Sequence, residues 1–177
     1  MHTDYDEADV ERLIDQLASA ILAVFPADQP INVVGIRTRG EVLAHRLVEK
    51  LGLNGYGKVG RGTLDITLYR DDLSEIGPRP LVKPSQLAMQ VDDIPLLLVD
   101  DVLFTGRSIR AALNLLNDFG RPSAIRLAVL VDRGGRELPI QPDFVGVKLV
   151  DVPKDYRVNV RLKEIDGGDE IVVERRS

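Results

Sequence analysis

The segment Leu96-Leu97-Leu98-Val99-Asp100-Asp101-Val102-Leu103-Phe104-Thr105-Gly106-Arg107-Ser108 passes from four apolar residues to two adjacent carboxylates, then through a Thr-Gly pair into helical spacing. An unbroken apolar run suits a strand buried on both faces of a parallel sheet, since neither face is polar enough for water. Backbone N–H groups at the start of the following helix, the Thr105 and Ser108 hydroxyls and the Arg107 guanidinium form a cradle for a phosphate. Asp100 and Asp101 repel a phosphate but accept hydrogen bonds from sugar hydroxyls. Carboxylates for a diol beside donors for a phosphate describe a ribose 5-phosphate site. Paired Asp at a strand end also builds the magnesium pockets of phosphoacceptor domains, and Thr-Gly before a helix can be a plain cap. The residues alone leave these readings open.

Working outward, residues 31–36 (INVVGI) predict a second buried strand, followed by the polar turn Arg37-Thr38-Arg39-Gly40 and a helix over 41–51 that stops at Gly52. Upstream, Val10, Leu13, Ile14, Leu17, Ile21 and Val24 recur at helical spacing, with Asp4 and Glu7 resembling a capping box. Residues 64–69 alternate apolar and polar, which predicts a half-exposed strand, and the aperiodic 70–95 stretch reads as a long loop. A helix over 107–119 ends at Gly120 and Pro122, and 125–131 is another buried strand. The apolar runs at 144–150, 158–162 and 171–173 read as β-structure appended to the domain. The order of elements predicts one α/β domain over residues 1–177, built on a mainly parallel sheet. Three unusual polar loops, at 37–40, 100–107 and 132–136, each follow a buried strand. In such a sheet the carboxyl ends of the strands share one edge, so the three loops predict one composite pocket.

Composition narrows the classes. The 177 residues are 44% hydrophobic and 29% charged, as in globular proteins, and include no Cys for thiol catalysis, disulfides or Cys-ligated metal. The acidic N-terminus lacks signal-peptide features and no apolar run reaches membrane-span length, so the expected location is cytoplasmic, with no membrane partner. A net charge of −5 argues against a general nucleic-acid coat. With two His in the chain, no His/Asp/Glu cluster has metal-ligand spacing, and no protein metal site is expected. Gly55 to Gly60 matches GxGxxG, but it precedes a strand and so reads as a turn. His45 reads as a solvent-facing helix residue, and the terminal Glu174-Arg175-Arg176 as a solvated end.

The 96–108 segment closely resembles the thirteen-residue phosphoribosyl pyrophosphate (PRPP) signature of type I phosphoribosyltransferases. Val34-Gly35-Ile36-Arg37-Thr38-Arg39-Gly40, Asp65-Ile66-Thr67-Leu68-Tyr69-Arg70-Asp71-Asp72-Leu73 and Val131-Asp132-Arg133-Gly134-Gly135-Arg136-Glu137-Leu138-Pro139-Ile140 resemble the PyrR family, pyrimidine operon regulators with uracil phosphoribosyltransferase activity. The resemblance covers about residues 31–146. It implies a type I phosphoribosyltransferase fold, in which helices flank the central sheet and a flexible flap spans about residues 65–84. It further implies that Asp100 through Ser108 bind PRPP. Asp100 and Asp101 would take the ribose hydroxyls, Val102 and Leu103 would follow them, and Phe104, Thr105, Gly106, Arg107 and Ser108 would take the 5-phosphate. Arg37, Thr38, Arg39 and Gly40 would form the pyrophosphate loop. Val131, Asp132, Arg133 and Gly134 would line the base pocket, and Tyr69, Arg70, Asp71 and Asp72 would belong to the flap. Related purine enzymes often carry Asp where this chain has Phe104, which favours a pyrimidine. Arg39, Arg70 and Asp101 would be catalytic, with Mg2+ carried mainly by PRPP.

The partners implied are PRPP, uracil and the product UMP, in a homo-oligomer of two or four chains. Family members also bind messenger RNA through a basic face. This chain departs there, with Gly135 for the family His, Gln141 for an Arg, and Gly146-Val147-Lys148 for Gly-Lys-Asn. Loss of basic positions weakens an RNA contact. The enzyme therefore ranks above the alternative, an RNA-binding attenuator that senses nucleotide in the same pocket.

Overall fold

Five parallel strands in the order β3-β2-β4-β5-β6 carry the domain: β2 (Ile31–Ile36), β3 (Val59–Leu64), β4 (Leu96–Leu103), β5 (Ile125–Asp132) and β6 (Phe144–Lys148). The structure is a computed structural model and describes residues 3–69 and 85–176. The expected flap residues Arg70, Asp71 and Asp72 lie outside the described residues, and of Tyr69 only the main chain is described.

The two faces of β4 show why its apolar run is unbroken. Leu97 and Val99 join one core cluster with helices α1 (Glu7–Val24) and α2 (Arg39–Leu53). Leu96 and Leu98 join a second cluster with helix α3 (Arg107–Leu116). Central position and two covered faces remove every β4 side chain up to Asp100 from water. Parallel register sets Gly35 opposite Val99 and Asp100 opposite Val129, which aligns the strand ends at one edge. No described helix is long and apolar enough to cross a membrane.

A second sheet, antiparallel and ordered β1-β8-β7, packs beside the first: β1 (Thr3–Tyr5), β7 (Tyr156–Arg161) and β8 (Glu170–Arg175). Val158, Val160 and Ile171 extend the α1–α2 core cluster into it. The appended C-terminal β-structure is thus confirmed for β7 and β8. The run at 144 differs, because β6 pairs with β5 (Val129 opposite Val145) and is the edge strand of the main sheet.

Other boundaries also differ from expectation. The strand predicted at 64–69 lies earlier, as β3, and residues Thr67–Tyr69 form a short 3-10 turn. The Asp65 carboxylate accepts from the Thr67 amide at 3.0 Å and from its hydroxyl at 2.5 Å, a local bond that bends the chain out of the sheet. The capping box sits two residues later than predicted. Asp9 N–H donates to Asp6 (3.0 Å) and Asp6 N–H to Asp9 (3.3 Å), while Asp4 accepts from Val173 N–H at 2.8 Å and ties β1 to β8. Helix α2 begins within the expected turn, at Arg39, and runs through Gly52.

A short helix, α4 (Lys163–Asp166), links β7 to β8, and this link is bound to α2 by a partly buried ion cluster. Arg46 donates to Asp169 at 2.6 and 2.8 Å and to Glu164 at 2.5 and 2.9 Å. The Arg46 and Asp169 side chains are 8% and 3% exposed. Arg46 holds the Glu164 carboxyl below its ordinary range. Burial pushes Asp169 up, but hydrogen bonds from Arg46 and the Lys163 N–H outweigh it and leave the group below its ordinary 3.8. A depressed carboxyl stabilises the fold above its unfolded value and loses that contribution as pH falls through the folded one. Asp169→Asn is therefore expected to cost about 3 kcal/mol in urea unfolding at pH 7, because Arg46 loses its buried partner. That difference should shrink as pH falls below 3.8 and through the depressed value of the native carboxyl, where the native side chain itself becomes neutral.

Candidate active site

Close approach of α2 to the sheet builds the first wall. A Cβ on Gly35 would lie 2.4 Å from the Gly40 carbonyl oxygen, and one on Gly40 would lie 2.5 Å from that of Val99. These two glycines let the turn at 37–40 press onto the end of β4, which brings the N-terminus of α2 beside Asp100. The Arg37–Thr38 peptide is cis. The Arg37 guanidinium turns toward the sheet edge, donating to the Thr63 hydroxyl at 3.0 Å with Glu41 at 3.2 Å. Arg39 reaches instead across the opening to Asp166 of α4, at 2.8 Å.

The cleft between these walls holds about 230 Å³ and is lined mainly by polar atoms. Ile36, Arg37, Thr38 and Arg39 border one side, Asp100, Asp101, Val102 and Ser108 another, and Asp65, Ile66 and Thr67 the third. Asp100 is buried and accepts from the Asp101 N–H at 3.0 Å, and Asp101 accepts from the Val102 N–H at 2.9 Å. Each bond fixes a carboxylate by its own main chain. Both acids therefore hold their orientation before any ligand arrives.

The Thr-Gly turn leads directly into α3. Gly106 adopts φ +93° as the residue before α3, which a side chain would strain. The Thr105 hydroxyl accepts from the Arg107 N–H at 3.3 Å, and Arg107 pairs with Glu137 at 2.7 Å. The Thr105 carbonyl accepts from the N–H groups of Glu137 (3.0 Å) and Leu138 (3.2 Å). Arg136 completes the tie, donating to the carbonyls of Phe104 and Ile140, each at 2.9 Å, and to Asp132 at 2.7 Å. The loops at 103–108 and 132–140 thus form one braced unit.

The Phe104 ring packs against residues 133 and 135. The Arg133 guanidinium lies 3.9 Å from its ring centroid, and a Cβ on Gly135 would lie 2.6 Å from the ring. Arg133 is buried and donates to the carbonyls of Pro153 (2.9 Å) and Tyr156 (3.0 Å). Burial, with the positive charge of Arg176, depresses its pKa. A side chain at 135 would have to displace the Phe104 ring, and Gly135 also has φ +75°. Gly134 follows Asp132 in a turn, its N–H donating to that carboxylate at 3.0 Å.

Most expected residues are brought together at this edge, with exceptions. Val131 and Leu103 have their side chains in the core, so neither offers one to a ligand. Arg70 lies outside the described residues. Sequence reasoning missed Arg136 as an internal clamp and Asp166 as the partner of Arg39. Asp65, where the flap is expected to begin, also lines the cleft.

A parallel five-stranded sheet carries paired carboxylates, a Thr-Gly turn and an arginine-bearing turn on its carboxyl edge, and the family model described as Phosphoribosyl transferase domain, matching residues 5–163, makes the chain a phosphoribosyltransferase. Solved structures agree on the fold. The hypoxanthine phosphoribosyltransferase of Trypanosoma cruzi has TM-score 0.69 at 15% identity, covering 100% of this chain and 98% of that one. A hypoxanthine phosphoribosyltransferase from Staphylococcus aureus has TM-score 0.63 at 16% identity, covering 85% and 78%. Sequence relatives are much nearer. "Bifunctional protein PyrR" of Mycobacterium tuberculosis is 48% identical over 175 residues, covering 95% of this chain and 90% of the relative. That of Akkermansia muciniphila is 46% identical over 168 residues, covering 95% and 93%. The chain belongs to the PyrR family of phosphoribosyltransferases.

Proposed function

We propose that this chain converts uracil and PRPP to UMP and pyrophosphate. The observation that supports the proposal is one cleft lined by the Asp100–Asp101 pair, the Arg37–Arg39 turn and Ser108, which sets acceptors suited to a diol beside donors suited to anions. A sugar carrying a phosphate at C5 and a pyrophosphate at C1 has that distribution of groups.

In the transfer, the ring nitrogen of uracil bonds to C1 as the bond from C1 to the pyrophosphate oxygen breaks. The electron pair leaves with pyrophosphate, and the proton from the nitrogen passes to water. Positive charge grows on the sugar and negative charge on the leaving oxygens. Asp101 and Asp100 orient the ring through its hydroxyls, and Asp101 faces the developing positive charge. The Arg39 guanidinium and the main-chain N–H groups at the start of α2 stabilise the departing pyrophosphate. Arg70 of the flap, by resemblance, adds a second cation. The Asp100 and Asp101 oxygens are hard donors of the type Mg2+ accepts, and a donor-borne Mg2+ would supply further neutralisation of leaving-group charge. Phe104, held flat by Arg133 and Gly135, offers a face on which a planar base can stack. Binding titration should show UMP binding with at least about tenfold preference over IMP; equal affinity would contradict the pyrimidine assignment.

A second reading is favoured by the relatives' name, which is bifunctional: regulation of pyrimidine genes through RNA, with the nucleotide as signal. Arg136 weighs against a strong RNA contact, because its guanidinium is held by internal carbonyls and Asp132. Titration with a pyrimidine-operon leader RNA at low salt, with and without UMP, decides it, and absence of binding in both would leave the enzyme alone.

A further inference from the structure

The link between β7 and β8 is gripped by two arginines of one helix face. Arg39 and Arg46 stand two turns apart on α2 and so project to the same side. Arg46 binds Glu164 and Asp169, as described above. Arg39 pairs edge-on with Asp166, its Nη2 lying 2.8 Å from Oδ1 and its Nε 3.3 Å from Oδ2. Asp166 Oδ2 also accepts from the Leu162 N–H at 2.9 Å, so the carboxylate is anchored independently of Arg39. The Asp166 side chain is 18% exposed and pairs with the Arg39 that borders the cleft.

A guanidinium carries five N–H donors in a rigid plane. Pairing through Nε and one Nη2 hydrogen uses one edge and leaves the edge between the two terminal nitrogens for another anion. A long arginine otherwise loses rotamer freedom when it meets a ligand, and a fixed partner removes part of that cost beforehand. A carboxylate without this role would act with the opposite sign, repelling a polyanionic donor and competing for the same cation.

We propose that Asp166 is a positioning residue for the phosphoribosyl donor: it holds the Arg39 guanidinium edge-on so that the remaining edge meets the pyrophosphate group. The Arg46–Glu164–Asp169 cluster fixes the link that carries it. This rests on the assignment of residues 37–40 as the pyrophosphate loop.

The test is steady-state kinetics on the full chain, with calorimetric titration of magnesium pyrophosphate. Asp166→Asn keeps shape and removes charge. It should raise KM for PRPP and Kd for pyrophosphate about five- to tenfold, with a smaller change in kcat, and Asp166→Glu should restore most of the loss. In an Arg39→Ala background the same substitution should add nothing. Arg39→Lys, which keeps charge but lacks the fork, should show the KM rise even if Asp166→Asn fails to fold. A lowered or unchanged KM in Asp166→Asn, or an equal penalty in the Arg39→Ala background, would overturn the positioning role. If Arg39→Ala itself leaves PRPP and pyrophosphate binding unchanged, the pyrophosphate-loop assignment fails, and the positioning role falls with it. An impaired Arg39→Ala beside a silent Asp166→Asn overturns the positioning role alone.

Discussion

Replacing Asp100 and Asp101 together by Asn is expected to weaken PRPP binding at least about a hundredfold and to remove measurable turnover. Hydrogen bonds from sugar hydroxyls to carboxylates are each worth about 1.5–3 kcal/mol, so losing the charge from two gives about 3 kcal/mol or more. The fold should survive, because an Asn oxygen can still accept the Asp101 and Val102 N–H groups that orient the native acids. The sign of the effect is what discriminates. Two carboxylates that merely sit beside a polyanionic donor repel it, so neutralising them would tighten binding. Calorimetric titration with PRPP and magnesium checks this, and undiminished or tighter binding contradicts the ribose assignment.

Gly40→Ala is expected to damage both fold and activity although it adds a single carbon. The added Cβ would meet the Val99 carbonyl oxygen at 2.5 Å and the Asp100 Cα at 3.1 Å, both main-chain atoms that cannot swing aside. Relief requires α2 to back away from β4, which shifts the 37–40 turn relative to Asp100. Overpacking of this type costs about 1–3 kcal/mol, and displacement of a positioned group by about 1 Å can cost about a hundredfold in rate. Gly52→Ala, in the same helix, is the control. A Cβ there has no neighbour within 4 Å, and the change should stabilise by about 0.5–1 kcal/mol through helix propensity alone. Urea unfolding and kcat on both variants separate the two, and equal behaviour would contradict the packing argument.

These residues also show which features local sequence encodes. The strands around Val33 and Leu97 were legible because both faces are buried, so hydrophobicity is continuous. The acids and the Thr-Gly turn were legible because one loop carries them in order. Strand β3 was not, since Gly60 and Gly62 dilute its pattern, while the alternation just after it imitates a strand that the Asp65 side chain bends into a turn. The apolar run in β6 was seen, but its place beside β5 is a tertiary choice between two sheets that its own residues do not encode. The Arg39–Asp166 pair spans 127 positions, and no local spacing signals it. Arg136 looked like one more cation in a polar loop. Its role depends on where the carbonyls of 103, 104 and 140 come to lie.

The most direct measurement is pyrophosphate release from PRPP in the presence of magnesium, with uracil, hypoxanthine and orotate compared as acceptors at equal concentration. The account predicts release that depends on uracil, with UMP formed in equal amount and little release with either other base. Release with hypoxanthine or orotate in preference to uracil, or none with any base while PRPP remains bound, would contradict it.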